Sequence, residues 1–118
     1  MRRRQQPATG GDLLAGTLDM LILRSLQAGP VHGLGIAQHI ERRSDDVLLV
    51  EQGSLYPALY RLEARGWIAS FWGTSDSRRR VRFYRLTPKG KRQLTAESSR
   101  WEALARAVAR VMRPETLS

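Results

Sequence analysis

Apolar residues recur every three or four positions through most of this chain, the period of helices that bury one face, and two short stretches replace that rhythm with strand composition. In LLAGTLDMLILRSLQAG, Leu14, Leu18, Leu21, Ile22 and Leu26 form one face. Leu13, Met20 and Leu23 widen it beyond what a surface helix needs, so this helix is expected to touch two bodies. Asp12 is the expected N-cap, and Gly29 followed by Pro30 is the expected stop. A second helix is expected from Gly33 to Arg43, with Leu34, Ile36, Ala37 and Ile40 apolar. SDDVLLVEQG then forms a connector whose Val47 to Val50 can sit partly in the core.

The next stretch, EQGSLYPALYRLEARGWI, spaces Leu55, Leu59 and Leu62 along one helix face and Tyr56, Pro57, Tyr60, Arg61 and Ala64 along the other. Ser54 is the expected N-cap, Pro57 falls in the expected first turn, and Gly66 closes the helix. WIASFW and RRRVRFYRL, rich in aromatic and β-branched residues, flank the turn-like GTSDS. They predict a β-hairpin with Arg78, Arg79 and Arg80 at its tip and Trp67 and Trp72 in its core. Thr87 and Pro88 provide the cap and first residue of a final helix reaching Met112. Along it Leu94, Trp101 and Val108 stand seven apart, with Leu104 and Val111 in a second seam.

Helices followed by a two-stranded hairpin give a mainly α fold with a small β element, a winged helix-turn-helix carrying one further helix. The divisions are a flexible basic arm at 1–12, the winged domain at 13–87, a dimerisation helix at 88–112 and a tail at 113–118. Charge sharpens this picture. In 118 residues, 20 lysines and arginines stand against 11 acids, a net +9, which favours polyanionic partners. Cysteine is absent, which excludes disulfides and thiolate metal sites and is compatible with a cytoplasmic location. No apolar run approaches the roughly 20 residues of a membrane span, and Gln, Pro and Gly follow MRRR where a signal peptide would be apolar.

The motifs GTLDMLILRSL, HGLGIAQHI, QGSLYPALYRLEARGWI and RRRVRFYRLTPKGKRQL, in this order, resemble the PadR family of bacterial transcriptional regulators. The likeness runs from Leu13 to Leu94, and with one helix after the wing it is to the short branch of the family. It implies a winged-helix DNA-binding domain and a helical dimerisation element, commonly in a repressor relieved by a small molecule. Tyr56 and Pro57 fall on the family's recognition-helix pattern and Arg80 on its basic wing strand. In the short branch a cavity at the dimer interface can take flat apolar ligands, where Trp101 could stack on an effector.

Double-stranded DNA is therefore the expected partner. Tyr56 would position the recognition helix on phosphate, while Tyr60, Arg61 and Ser54 would read bases; Arg78, Arg79, Arg80 and Arg82 would supply most of the salt-dependent affinity. Two alternatives stay open: hairpin arginines that belong to an ordinary solvated turn, and a Tyr56 and Tyr60 that complete the core instead. Leu94, Trp101, Leu104, Val108 and Val111 exceed what one small domain can cover, so a homodimer is expected, although some of the stripe can pack on the first helix of its own chain. No cofactor or metal is called for: His32 and His39 lack a third ligand, and QGSLY is not a nucleophile elbow. No catalytic constellation is present. The rival reading is an interaction module that docks an acidic partner on the basic face.

Overall fold

The computed structural model describes residues 8–9 and 15–115. In chain order these form β1 (Ala8–Thr9), α1 (Ala15–Ser25), β2 (Val31–His32), α2 (Gly33–Arg43), β3 (Leu48–Leu49), α3 (Gln52–Ala64), β4 (Ile68–Thr74), β5 (Arg80–Leu86) and α4 (Pro88–Met112). The expected cap at Asp12 and the leucines Leu13 and Leu14 lie outside the described residues, as do Arg2, Arg3 and Arg4. Within the stretch expected to be a mobile arm, β1 pairs in parallel with β3, Ala8 against Leu48 and Thr9 against Leu49.

The core sits where α1, α2 and α3 meet the base of the sheet. Leu18, Ile22, Leu23 and Leu26 of the α1 region meet Ile36, Ala37 and Ile40 of α2 and Leu55, Ala58, Leu59 and Leu62 of α3. Ile68, Tyr84 and Leu86 close it from the hairpin and Leu94 from α4. The wide apolar surface of α1 is explained by its position, since α1 packs on α2, α3 and α4. Its helix ends at Ser25, before Gly29, because the following residues tighten into turns in which Leu26 N–H donates to Leu23 O and Gly29 N–H to Leu26 O. Leu34, expected on the apolar side of α2, is exposed at its first turn.

The third helix begins earlier than its sequence suggests. Glu51 is the N-cap, and the Leu55 amide donates to its carbonyl at 2.9 Å. Ser54 is thus the third helical residue and Pro57 lies in the second turn. Serine was a plausible cap by type, but here the cap makes no side-chain hydrogen bond, so residue type carried no signal. At the other end Gly66 takes φ +77°, a conformation that only glycine adopts freely, and turns the chain into β4.

The wing is a three-stranded antiparallel sheet in the order β2-β5-β4, one short strand more than the expected hairpin. Its register pairs Ile68 with Leu86, Ser70 with Tyr84, Trp72 with Arg82 and Thr74 with Arg80. Helix α4 is stitched to the turn before β4: Thr87 N–H donates to Trp67 O (3.1 Å), and Thr87 Oγ1 accepts from Gly90 N–H (3.0 Å). Among the described residues no helix is long and apolar enough to cross a membrane.

Candidate nucleic-acid interface

The leucine side of α3 is anchored as its spacing requires: Leu55, Leu59 and Leu62 are fully buried, and the opposite side, Tyr56, Pro57, Tyr60, Arg61 and Ala64, is exposed. Tyr60 is 76% exposed, which removes the core reading for it. Tyr56 lies against the start of α2, so closely that a Cβ on Gly33 would stand 2.9 Å from the Tyr56 hydroxyl and Cε1. Gly33 is therefore what allows the second and third helices to approach at this end.

Arg61 differs from expectation. Its guanidinium donates to Asp19 Oδ1 at 2.9 Å, reaching back across the domain to α1, where the Asp19 side chain is 9% exposed. A buried carboxylate needs such a partner, so the residue expected to read bases is engaged in holding α3 to α1.

The strand register determines which way the wing presents its arginines. Side chains alternate along a strand, so Ile68, Ser70, Trp72 and Thr74 share a face with Arg80, Arg82, Tyr84 and Leu86. At the base this face is core, since Ile68, Tyr84 and Leu86 are buried; nearer the tip it emerges into solvent. Arg80 and Arg82 thus lie on the side of the sheet that packs on the helices. The opposite face carries Phe71 stacked on Phe83 at 5.7 Å and His32 edge-on to Phe83. Burial pushes the Tyr84 phenol above its ordinary value, with Arg82 opposing and Glu63 and Tyr56 adding to the rise.

Between the start of α2, α3 and the wing runs a groove of about 710 Å³ lined by Leu34, Tyr56, Trp72, Arg79, Arg82 and Tyr84, among others. At its outer end the turn is fixed by Ser75, whose N–H donates to Arg79 O (2.8 Å) and whose carbonyl accepts from Arg78 N–H (2.9 Å). Arg78 is held at φ +61°. Arg78, Arg79, Arg80 and Arg82 are all exposed, and among the described residues none of them makes an ion pair.

Trp72 corrects another expectation. It is 56% exposed rather than hairpin core, because its face of the sheet runs past the end of the core, whereas Trp67 at the base is half-buried against it. Sequence reading also missed Gly33, Ser70 and Glu63. Counting outward from the turn would have paired Trp72 with Arg82, but nothing in residue type tells where the core stops.

The stripe on α4 divides in two. Leu94 is 4% exposed, buried in its own chain against the winged domain, so it is not available to a partner as expected. Trp101, Leu104, Val108 and Val111 are exposed, as is Met112. Beside them a groove of about 470 Å³ lies between α1 and α4, lined by Thr17, Met20, Glu97, Trp101 and Leu104 among others. Among the described residues Glu97 Oε2 is buried there without a hydrogen-bond partner, while Oε1 accepts from Gln93 Nε2 at 3.2 Å and stands 3.9 Å from the Arg100 guanidinium. Among the described residues no group of His, Asp and Glu could hold a metal ion.

Comparison with known proteins agrees with this framework. Residues 22–96 match the model of the transcriptional regulator PadR-like family. The chain is 40% identical over 87 residues to the transcriptional regulator Rv3488 of Mycobacterium tuberculosis, covering 74% of this chain and 78% of that protein. Among solved structures it is similar to a transcriptional regulator from Clostridium thermocellum (TM-score 0.74, 28% identity, 83% of this chain and 95% of that one). It is also similar to a PadR family transcription regulator from Clostridium difficile (TM-score 0.72, 27% identity, 83% of this chain and all of that one). A winged helix in which exposed Tyr56 and the wing's Arg79 and Arg82 border one groove, in a chain matched by the family model over most of its length, belongs to the PadR-like family of DNA-binding transcriptional regulators.

Proposed function

We propose that this regulator acts as a homodimeric repressor on a pseudo-palindromic operator and is released by a small effector. The observation that carries the DNA geometry is the common groove: exposed Tyr56 on α3 and unpaired Arg79 and Arg82 on the wing line the same depression, so one duplex can touch both. Tyr56 positions the helix on phosphate, Tyr60 reads base edges from the exposed side of α3, and Arg78, Arg79, Arg80 and Arg82 neutralise flanking phosphates. Arg61 is left out of this set because of its ion pair with Asp19.

Dimerisation is supported by Trp101, Leu104, Val108 and Val111, an apolar stripe on α4 that the described residues leave exposed. A two-fold pairing through it also presents two recognition helices to half-sites roughly 34 Å apart. The effector reading rests on the groove beside Trp101, whose indole offers a flat apolar surface and whose neighbour Glu97 holds a carboxylate oxygen without a partner. A planar apolar molecule with a hydrogen-bond donor at its edge complements both features, the Glu97 charge being already faced by Arg100.

The test of the wing is the salt dependence of binding to duplex DNA from upstream of the gene. Log affinity falls by about 0.9 per log unit of salt for each phosphate neutralised. Replacing Arg78, Arg79 and Arg80 together by alanine is expected to flatten the slope by roughly 2 to 3. An unchanged slope removes the wing from the mechanism, and no retention of any duplex in the presence of heparin favours docking of an acidic protein instead.

A further inference from the structure

Trp72 is a large apolar side chain more than half exposed on a basic wing, an arrangement that neither core packing nor the turn accounts for. Its surroundings are ordered by the strand register. Arg82 lies directly across from it, and Arg80 is two residues further along the same face. The guanidinium carbons of Arg80 and Arg82 stand 5.1 and 5.4 Å from the Trp72 ring centroid, within the range in which the negative ring face attracts a cation. Arg82 is held a second time, since its Nε donates to Ser70 Oγ at 3.0 Å, and Ser70 Oγ in turn donates to Glu63 Oε2 of α3 at 2.6 Å. A continuous path therefore runs from α3 through β4 to the two wing arginines.

We infer that Trp72 is a positioning residue of the DNA interface, holding Arg80 and Arg82 side by side and already extended toward the duplex before it arrives. Two cations brought to one ring repel each other, so the arrangement is not what solvated arginines adopt by themselves. The attraction of both guanidinium groups to the ring face offsets that repulsion in the free protein, and a phosphate backbone, a line of negative charge, removes the rest of it on binding. What the indole removes is the loss of side-chain freedom that two long arginines otherwise suffer on binding. The role differs from that of the arginines themselves: they carry the charge, and Trp72 determines where it is. This rests on the wing meeting DNA as proposed above.

The experiment compares Trp72→Leu with Trp72→Phe, binding a fluorescein-labelled duplex of random sequence across a salt series, with thermal unfolding of each variant recorded alongside. Leucine keeps apolar bulk without a ring face; phenylalanine keeps the face. The expected result is that W72L binds about tenfold or more weakly at every salt concentration with its log–log slope unchanged, because both charges remain and only their ordering is lost. W72F is expected within about threefold of the parent, because a smaller ring still attracts both guanidinium groups. Arg80→Ala and Arg82→Ala each lower the slope by about 0.9 instead. Parental affinity in W72L overturns the inference, as do equal losses in W72L and W72F or a loss in W72L that follows its loss of thermal stability. A parent protein that shows no salt-dependent binding to duplex DNA overturns the underlying wing reading as well, a failure recognisable because it precedes any substitution.

Discussion

Replacing Arg61 by alanine separates a structural role from a DNA-reading one. The Arg61 guanidinium lies 2.9 Å from Asp19 Oδ1, with the arginine side chain 45% exposed and the aspartate 9% exposed. An exposed pair of this kind contributes about 0–1 kcal/mol, whereas stripping one partner from a fully buried pair costs about 3–5 kcal/mol. With one end buried and the other half in solvent, R61A is expected to lose about 2 kcal/mol, mostly because the Asp19 carboxylate is left without a partner. For a chain of this size that corresponds to a fall in Tm of roughly 6–10 °C at fixed protein concentration. Asp19→Ala/Arg61→Ala should recover part of the loss, because no charge then remains buried alone, giving a coupling energy of about 1 kcal/mol. Urea unfolding of the four proteins measures this. In the DNA assay the R61A salt slope is expected to match the parent. A stability change under about 0.5 kcal/mol together with a slope reduced by about 0.9 would show that Arg61 serves phosphate and that the ion pair is incidental.

Gly90→Ala is expected to lose about 3 kcal/mol even after the roughly 1 kcal/mol gained in helix propensity, since its Cβ would stand 1.9 Å from the Trp67 carbonyl oxygen and force α4 off the turn it is bonded to; calorimetry measures the loss, and an unaltered Tm refutes the contact. Leu104→Glu with Val108→Glu is expected to give monomers in light scattering and to weaken operator binding at least tenfold, while leaving the fold intact by circular dichroism, because both residues are exposed in the single chain. His39 is held below the ordinary histidine value of 6.5, first by burial and then by Arg42 and Arg43. The unfolded chain therefore takes up this proton first, so His39 lowers stability as pH falls through 6.5 toward its folded value, and none of that loss is present above 6.5. His39→Gln should flatten this part of the pH profile, and an imidazole NMR titration with its midpoint above 6.5 would reverse the sign.

Much of this was legible in the chain because period and punctuation are local signals. The Leu55, Leu59 and Leu62 spacing identified the buried side of α3, and Thr87-Pro88 marked the start of α4 within a residue, since the cap bond from Gly90 is made inside the same turn. What escaped depends on meetings between distant residues. Arg61 and Asp19 are 42 positions apart, and neither residue type announces that a carboxylate on α1 needs a cation from α3. Leu94 and Trp101 belong to one heptad seam, but only the tertiary packing decides that the first is covered by its own chain and the second is not. The usual burial of an indole points Trp72 to the core, but that preference says nothing about a strand outrunning the core that holds its base.

That overrun links stability to function in this fold. A single sheet face supplies Ile68, Tyr84 and Leu86 to the interior and, without a change of register, Trp72, Arg80 and Arg82 to solvent. The direction of the wing arginines is therefore set by the same burial that stabilises the domain, and a slip of one residue would turn all of them away from α3. At the base of the same hairpin, Trp67 O accepts the Thr87 amide and lies against Gly90, so the start of α4 is fixed to the turn that follows α3. If, as proposed, two chains join through Trp101, Leu104 and Val108, the Thr87–Trp67 hydrogen bond and the Gly90 contact give a direct path by which a shift of α4 at the interface reaches the turn after α3. On the proposed effector reading, a molecule seated beside Trp101 and Glu97 would release DNA without touching the DNA-binding face, by changing the separation of the two recognition helices.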